Sequence, residues 1–257
     1  MNQGLYMAAS GLVAVEARQT ALANNIANVA TPGFRRQTPV KLGFYQTFSE
    51  VLRHPFHFDV RSAPGGGVKL VETYTDLGAG ALVSTGNPLN LAIQGPGYFV
   101  VDTPEGERFT RAGDFVVDAD GDLATRDGFK VQSIGGAAIA VGAGEFLVAE
   151  DGSIQVDGQP AGQLRLVEFT TPERLLREGD NLYSAADDVL QGATEAADAP
   201  VRSTRVSARQ LEQSNVNVTV EMADMMLGLR AYEANQRVIQ TIDSTFGRLI
   251  EQVGMPS

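Results

Sequence analysis

The chain has 257 residues, of which 43% are apolar and 20% charged, and carries a formal charge of −11. That length allows one large core or two modest domains, and the balance excludes wholesale disorder. The acidity argues against a duplex-binding face and against docking on anionic lipid heads, and the absence of cysteine excludes disulfides, thiolate metal sites and a cysteine nucleophile.

The first stretch, MNQGLYMAASGLVAVEARQTALANN, lacks a basic leader, and Glu16, Arg18 and Gln19 interrupt its apolar run. It reads as neither a cleavable secretion signal nor a membrane span. Leu5, Ala8, Leu12, Val15, Gln19, Leu22, Ile26 and Val29 instead recur at spacings of three and four, and seven of these eight positions are apolar. That spacing predicts a helix over 3–29 with a coiled-coil seam, stopped by Thr31-Pro32-Gly33. A lone helix of this length is marginal in water, so it requires a partner.

Residues 35–75, with His-Pro and Gly65-Gly66-Gly67, read as a long connector of irregular or extended backbone. Beyond it the texture becomes β. Short alternating runs (NLAIQG, YFVV, RFTRAGDFVVD, EFLVAEDGSIQVDG, GQLRLVEFT) are separated by Pro96-Gly97, Glu105-Gly106, Asp120-Gly121, Asp127-Gly128, Asp151-Gly152 and Asp157-Gly158. An acidic, alanine-rich stretch at 184–200 reads as a surface loop.

The 215–253 stretch is again helical in period. Met222, Met225 or Met226, Leu229, Tyr232, Ile239, Ile242, Phe246, Leu249 and Val253 form a stripe. Glu221, Asp224, Arg230, Glu233, Arg237 and Arg248 fall off it, and Ser214-Asn215 offers cap oxygens. The expected fold class is α+β: N- and C-terminal helices paired as a coiled coil, with an inserted antiparallel β-rich domain. The expected division is a helix in 1–34, the connector in 35–75, the β domain in 76–205 and the second helix in 206–257.

Chemistry is sparse. His54 and His57 are the only histidines, and Pro55 between them breaks the helical spacing a metal pair would use. Asp118, Asp120 and Asp122 look like the start of a calcium loop but lack the closing glutamate, so a β-turn is expected. No phosphate loop, dinucleotide fingerprint or nucleophile elbow occurs. No cofactor and no catalytic residue is expected.

Three local runs are more specific than the pattern. Ala23-Asn24-Asn25-Ile26-Ala27-Asn28-Val29-Ala30-Thr31-Pro32-Gly33-Phe34 resembles the N-terminal signature of flagellar rod and hook proteins. Ser214-Asn215-Val216-Asn217, then Glu221-Met222 and Arg230-Ala231-Tyr232-Glu233-Ala234-Asn235, resemble the C-terminal signature. Asn90-Leu91-Ala92-Ile93-Gln94-Gly95-Pro96-Gly97-Tyr98-Phe99 and Phe109-Thr110-Arg111-Ala112-Gly113 resemble the family's central strands, with Asn90 where Asp is usual. Size and the inserted β domain point to the FlgF/FlgG type of rod subunit. Thr110-Arg111-Ala112-Gly113 leans towards the proximal-rod FlgF type, whereas the 230–243 stretch looks closer to the distal-rod FlgG type.

The resemblance implies a structural subunit of the bacterial flagellar basal-body rod that self-assembles through its terminal helices and transmits torque from motor to hook. Its partners would be copies of itself, other rod subunits and, in transit, the flagellar type III export apparatus, with no nucleic acid and no membrane insertion. It would reside in the periplasmic rod without a cleavable signal peptide. The expected assembly residues are Leu5, Leu12, Val15, Leu22, Asn24, Asn25, Ile26, Asn28, Thr31, Gly33 and Phe34 at one end. At the other they are Ser214, Asn215, Val216, Met222, Leu229, Arg230, Tyr232, Glu233, Asn235, Ile239 and Phe246. Asn24 and Asn28 would bond an adjacent helix, and Arg230 and Glu233 would pair at i, i+3. The alternatives from other classes are a secreted β-rich hydrolase, which requires a pocket with convergent polar groups, and a binding module with helical ends.

Overall fold

The computed structural model describes residues 2–42, 69–142, 144–195 and 204–253. The fold is α+β, with a long helix near each end of the chain and a β-rich middle. Two compact units emerge: Met1–Ala27, Gln37–Asp76 and Asn217–Ser257 form one, and Asn28–Arg36 with Leu77–Val216 form the other.

In the first unit the N-terminal helix spans Asn2–Ala27 and the C-terminal helix Val218–Val253. The second has 36 residues, hence a length of about 54 Å. Its cap is Asn217, not Ser214 or Asn215: Asn217 Oδ1 accepts from the backbone N–H of Thr219 at 3.1 Å and of Val220 at 3.3 Å. The helices run antiparallel, with Gly11 against Asn235, Gln19 against Gly228 and Asn25 against Glu221. Within the stretch expected as a connector, Gln37–Leu42 and Lys69–Thr75 pair as antiparallel strands. His54 and His57 lie outside the described residues.

The second unit is antiparallel throughout. Its central strand, Gly97–Thr103, pairs with Gly106–Thr110, Lys130–Val131 and Leu166–Phe169. This strand is buried on both faces, so its alternation feeds two cores. Phe99 and Val101 join Leu91, Phe115, Leu123 and Ile154 on one side; Tyr98 and Val100 join Phe109, Phe169 and Tyr183 on the other. Edge-to-face ring pairs tie each core, Phe99–Phe115 at 5.0 Å and Phe109–Phe169 at 4.8 Å between centroids. The returning chain closes the unit by pairing Arg205–Ala208 with Leu91–Gln94 and Gln210–Glu212 with Leu82–Ser84.

Most turn glycines stand where the dipeptides put them, and Asp157-Gly158 is left-handed at both residues (φ 53° and 74°). Pro96-Gly97 is an exception. Gly95 makes that bend, with φ 115°, and Gly97 begins the central strand. The described part of the stretch read as a loop, 184–195, holds regular structure. Asp187–Leu190 is a short helix whose Val189 is buried in the second core, and Ala193–Glu195 pairs with Val167–Phe169. Residues 196–200 lie outside the described set.

Candidate functional site

Two constellations stand out, one in each unit. In the helix unit, the inward residues of the C-terminal helix are Val218, Glu221, Met225, Gly228, Tyr232, Asn235, Ile239, Ile242 and Phe246, all buried or half-buried. Their spacing alternates three and four without a break. The sequence stripe has the right period but the wrong phase in its first turns, because Met222 and Leu229 are 51% and 53% exposed while Glu221 and Gly228 face inward.

Physical chemistry explains the phase. Gly228 is the hole into which Gln19 fits: an added Cβ would lie 2.3 Å from Gln19 Nε2, and that amide donates to Met225 O at 2.9 Å. Gly11 plays the same part for Asn235, with an added Cβ 3.2 Å from its Nδ2. Beside these, Arg18 pairs with Asp224 at 3.1 Å. The seam is thus partly glycine against amide, and only partly apolar. On the N-terminal helix Ala8, Ala14 and Leu22 are buried and Leu12, Val15 and Ile26 half-buried; Leu5 lies outside the residues whose side chains are described.

Asn25 anchors the far end of the seam. Its Oδ1 accepts from Gln37 N at 2.9 Å, while Nδ2 donates to Gln37 O at 2.8 Å and to Glu221 Oε2 at 3.0 Å. The amide imitates a strand partner for Gln37 and simultaneously holds a carboxylate that is fully buried. Asn24 is exposed, and Asn28 Oδ1 accepts from Thr31 Oγ1 at 3.3 Å in the turn that follows the helix. The expected Arg230–Glu233 pair does not form; Glu233 instead meets Arg237 at 4.0 Å, one helical turn on.

In the β unit, a buried charged clasp joins residues 31–36, 78–81 and 211–216. Glu212 Oε1 contacts Arg35 Nη2 at 2.7 Å and accepts from Gly80 N at 2.9 Å, while Glu212 O accepts from Gly33 N at 2.8 Å. Arg35 Nη1 donates to Gly78 O at 2.5 Å. Arg111 is the second guanidinium, with Nη1 3.6 Å from Glu212 Oε2, too long for a hydrogen bond, and its carbon 4.8 Å from the centre of the Tyr98 ring. Burial lowers the Arg111 pKa, with Glu212 opposing the shift. Burial also raises the pKa of Tyr98, and pushes Tyr183 up to about 12.

The clasp explains several residues expected at an assembly interface. Gly33 has φ 69°, and a Cβ there would sit 2.4 Å from the Arg111 carbonyl carbon, so only glycine fits. Phe34 is fully buried beneath the Arg177 guanidinium, 4.2 Å from its ring centre. Asn215 Oδ1 accepts from Arg36 N at 2.7 Å and its Nδ2 donates to Gly78 O at 3.0 Å. Ser214 Oγ accepts from Val216 N at 3.3 Å. Glu212 escapes a sequence reading because it looks like an ordinary surface acid, and Glu221, although it stands in the C-terminal signature run, falls off the apolar stripe and reads the same way.

Asp118, Asp120 and Asp122 do cluster, in a turn closed by Asp118 N donating to Asp122 O at 2.9 Å. The Lys130 ammonium lies 3.6, 2.9 and 2.7 Å from the three carboxylates in that order, so one side-chain cation is shared among all three and offsets part of their charge. A cleft of about 280 Å³ is lined chiefly by Leu89, Val117, Val141 and Phe146, with Glu145 and Arg209 also on its wall. Those walls contain neither a nucleophile–base pair nor two acids in position for hydrolysis.

Comparison with known proteins agrees across the chain. Residues 5–35 match the family described as flagella basal body rod protein, 92–156 the flagellar hook protein FlgE/F/G D1 domain, and 208–252 the flagellar basal body rod FlgEFG protein C-terminal region. The flagellar basal-body rod protein FlgG of Caulobacter vibrioides is 36% identical over 255 residues, covering 94% of this chain and 95% of the relative. FlgG of Bacillus subtilis is 31% identical over 268 residues (97% and 98%), and FlgF of Rhizobium meliloti 33% over 256 residues (99% and 99%).

Proposed function

This chain belongs to the flagellar basal-body rod protein family, FlgF/FlgG type, and from that premise we propose how its two units serve a rod. It is a structural subunit of the rod and not an enzyme. The terminal helices form the polymerising element, paired as a coiled coil whose seam is the unbroken three-four series from Val218 to Phe246. The β unit is a rigid body that the clasp keeps closed. Gly33, Phe34 and Asn215 serve assembly indirectly, by fixing the ends of that body. Torque passes from motor to hook through stacked copies and cousins of this molecule.

The observation that carries this reading is the apolar surface left over on the C-terminal helix. With one face already packed, Val220, Met222, Met226, Leu227, Leu229 and Val238 remain 48–58% exposed. Each gains roughly 1.5–3 kcal/mol on going from full exposure to burial, so covering even half of this surface favours association by several kcal/mol. Among the described residues no helix is long and apolar enough to cross a membrane. In this reading helices of other rod subunits cover the exposed apolar surface, and the chain travels by the flagellar type III route to the periplasmic rod.

Electron microscopy of basal bodies from a strain lacking the gene tests this. A rod that stops short, without a hook, is the expected image; a complete rod with normal swimming overturns the reading.

A further inference from the structure

The β unit holds a packed region that belongs to neither of its cores. Both cores draw only on side chains between Leu89 and Ala208. Phe34 and Val216 are buried yet lie outside them, in segments that the charged clasp fastens. Those segments are 31–36, just after the N-terminal helix, 78–81, and 211–216, just before the C-terminal helix. Of the clasp's three charged side chains, Arg35 and Glu212 come from these segments and Arg111 alone comes from the core stretch. We infer that the clasp is a latch: it closes after the cores have formed and opens before they do. It therefore sets how long the β unit stays shut, and not how fast the unit folds.

Three observations carry this. The first is distance along the chain. The hairpins that frame the cores close through turns of two residues, as between Gly97–Thr103 and Gly106–Thr110, and between Ser153–Val156 and Gln159–Gln163. In the clasp, Arg36 and Asn215 are 179 positions apart and Gly80 and Glu212 are 132 apart. Local contacts form first, because closing a long loop costs entropy that only later contacts offset. A chain made from its N-terminus also holds Arg35 ready long before Glu212 exists.

The second observation is steric. A side chain at Gly80 would collide with the Gln213 carbonyl, so 78–81 and 211–213 must meet backbone to backbone before Gly80 N reaches Glu212 Oε1 at 2.9 Å. The third is solvation. Arg35 Nε, Arg111 Nε, Arg111 Nη1 and Glu212 Oε2 give up water without gaining a hydrogen-bond partner. A half-built clasp would bear that cost with fewer contacts to offset it, so the clasp forms whole or not at all. When it opens, the segments that lead into both helices come free while the sheet persists.

Folding and unfolding kinetics of the full-length chain in urea, followed by tyrosine fluorescence, test the order of events. Glu212→Gln should unfold about a hundredfold faster or more, and refold within about twofold of the parent rate. Val101→Ala, in the central strand, should instead refold about fivefold more slowly or worse. Should Glu212→Gln fail to fold, Asn215→Ala, which loses the bonds to Arg36 N and Gly78 O, should show the same partition with unfolding about tenfold faster. Hydrogen exchange on the unsubstituted protein needs no variant. The amides of Gly33, Gly80 and Gln213, bonded to Glu212 O, Glu212 Oε1 and Ala81 O, should exchange at least about tenfold faster than those of the central strand. Clasp variants that refold as slowly as Val101→Ala, or clasp amides as protected as the central strand, overturn the latch. Neither result touches the rod reading, and a complete rod in the gene-deletion strain would remove that reading while leaving the latch in place.

Discussion

Arg35 and Glu212 meet at 2.7 Å with side chains only 2% and 1% exposed, and Arg111 lies on the far side of the same carboxylate. Two guanidiniums thus share one carboxylate away from water. Arg35 Nε, Arg111 Nε, Arg111 Nη1 and Glu212 Oε2 have no hydrogen-bond partner there. Such a group is poor value as stabilisation against an apolar replacement, but removing its one anion is severe. Glu212→Gln is expected to destabilise the β unit by about 3–5 kcal/mol, because two cations lose the one carboxylate they meet among the described residues. Arg108→Ala is the control: its Glu178 partner is 39% exposed, and the loss should stay within about 1 kcal/mol. Urea unfolding followed by tyrosine fluorescence reads both, and equal losses would refute the special status of Glu212.

A tyrosine titration reports on the second core of the same unit. The Tyr183 hydroxyl is pushed up to about 12 by burial, from an ordinary value of 10.0. A raised folded-state pKa means that its contribution is fully present below the unfolded pKa and is lost as pH climbs through the folded one. Stability should therefore be insensitive to Tyr183 up to about pH 10 and fall between about 10 and 12, by up to about 3 kcal/mol. Tyr183→Phe should flatten that part of the profile. A variant with the same alkaline slope as the parent would show that other groups cause it.

Much of this architecture is legible in the residues themselves. Alternation and turn dipeptides locate the β unit because period two and left-handed glycines are local properties. The helices are legible for the same reason. What the sequence hides is phase and partnership. Glu221 looks like a surface acid until Asn25, 196 positions earlier, is seen to hold it, and Gly228 looks like a helix weakness until Gln19 fills it. The clasp assembles residues 35, 111 and 212, whose proximity no periodicity encodes. The Thr110-Arg111-Ala112-Gly113 run, which resembles one rod type, also packs within the β unit, where Arg111 meets Glu212 and Tyr98. Relatives bearing either name align over nearly the whole chain.

Two glycine substitutions of equal size should behave differently. At Gly33 an added Cβ meets Arg111 backbone at 2.4 Å, in a left-handed conformation that itself costs about 1–2 kcal/mol. Neither strain nor backbone can relax, so Gly33→Ala should disrupt the segment 31–36 and lower the melting temperature of the β unit. At Gly228 the obstacle is the tip of Gln19, which can swing away. Gly228→Ala should cost about 1 kcal/mol through the lost bond to Met225 O, offset in part by the better helix propensity of alanine. Adding Gln19→Ala should then make Gly228→Ala neutral or stabilising. Additive losses in that double-mutant cycle would show that the two residues do not share one space.

The helix unit allows folding and assembly to be separated with two aspartates. Leu22 is 4% exposed at the seam, so Leu22→Asp places a carboxylate among packed side chains and should loosen the helix pair itself. Met226 is 58% exposed, and Met226→Asp should leave the isolated subunit within about 0.5 kcal/mol of the parent. Both variants should nonetheless abolish swimming, for different reasons: one subunit lacks a formed polymerising element, the other presents a charge where a neighbour must dehydrate the surface. Hydrogen exchange distinguishes them, with faster exchange over 8–27 expected in Leu22→Asp alone and the β unit protected in both. Normal motility with Met226→Asp would mean that the methionine flank faces water in the rod as it does in the free subunit.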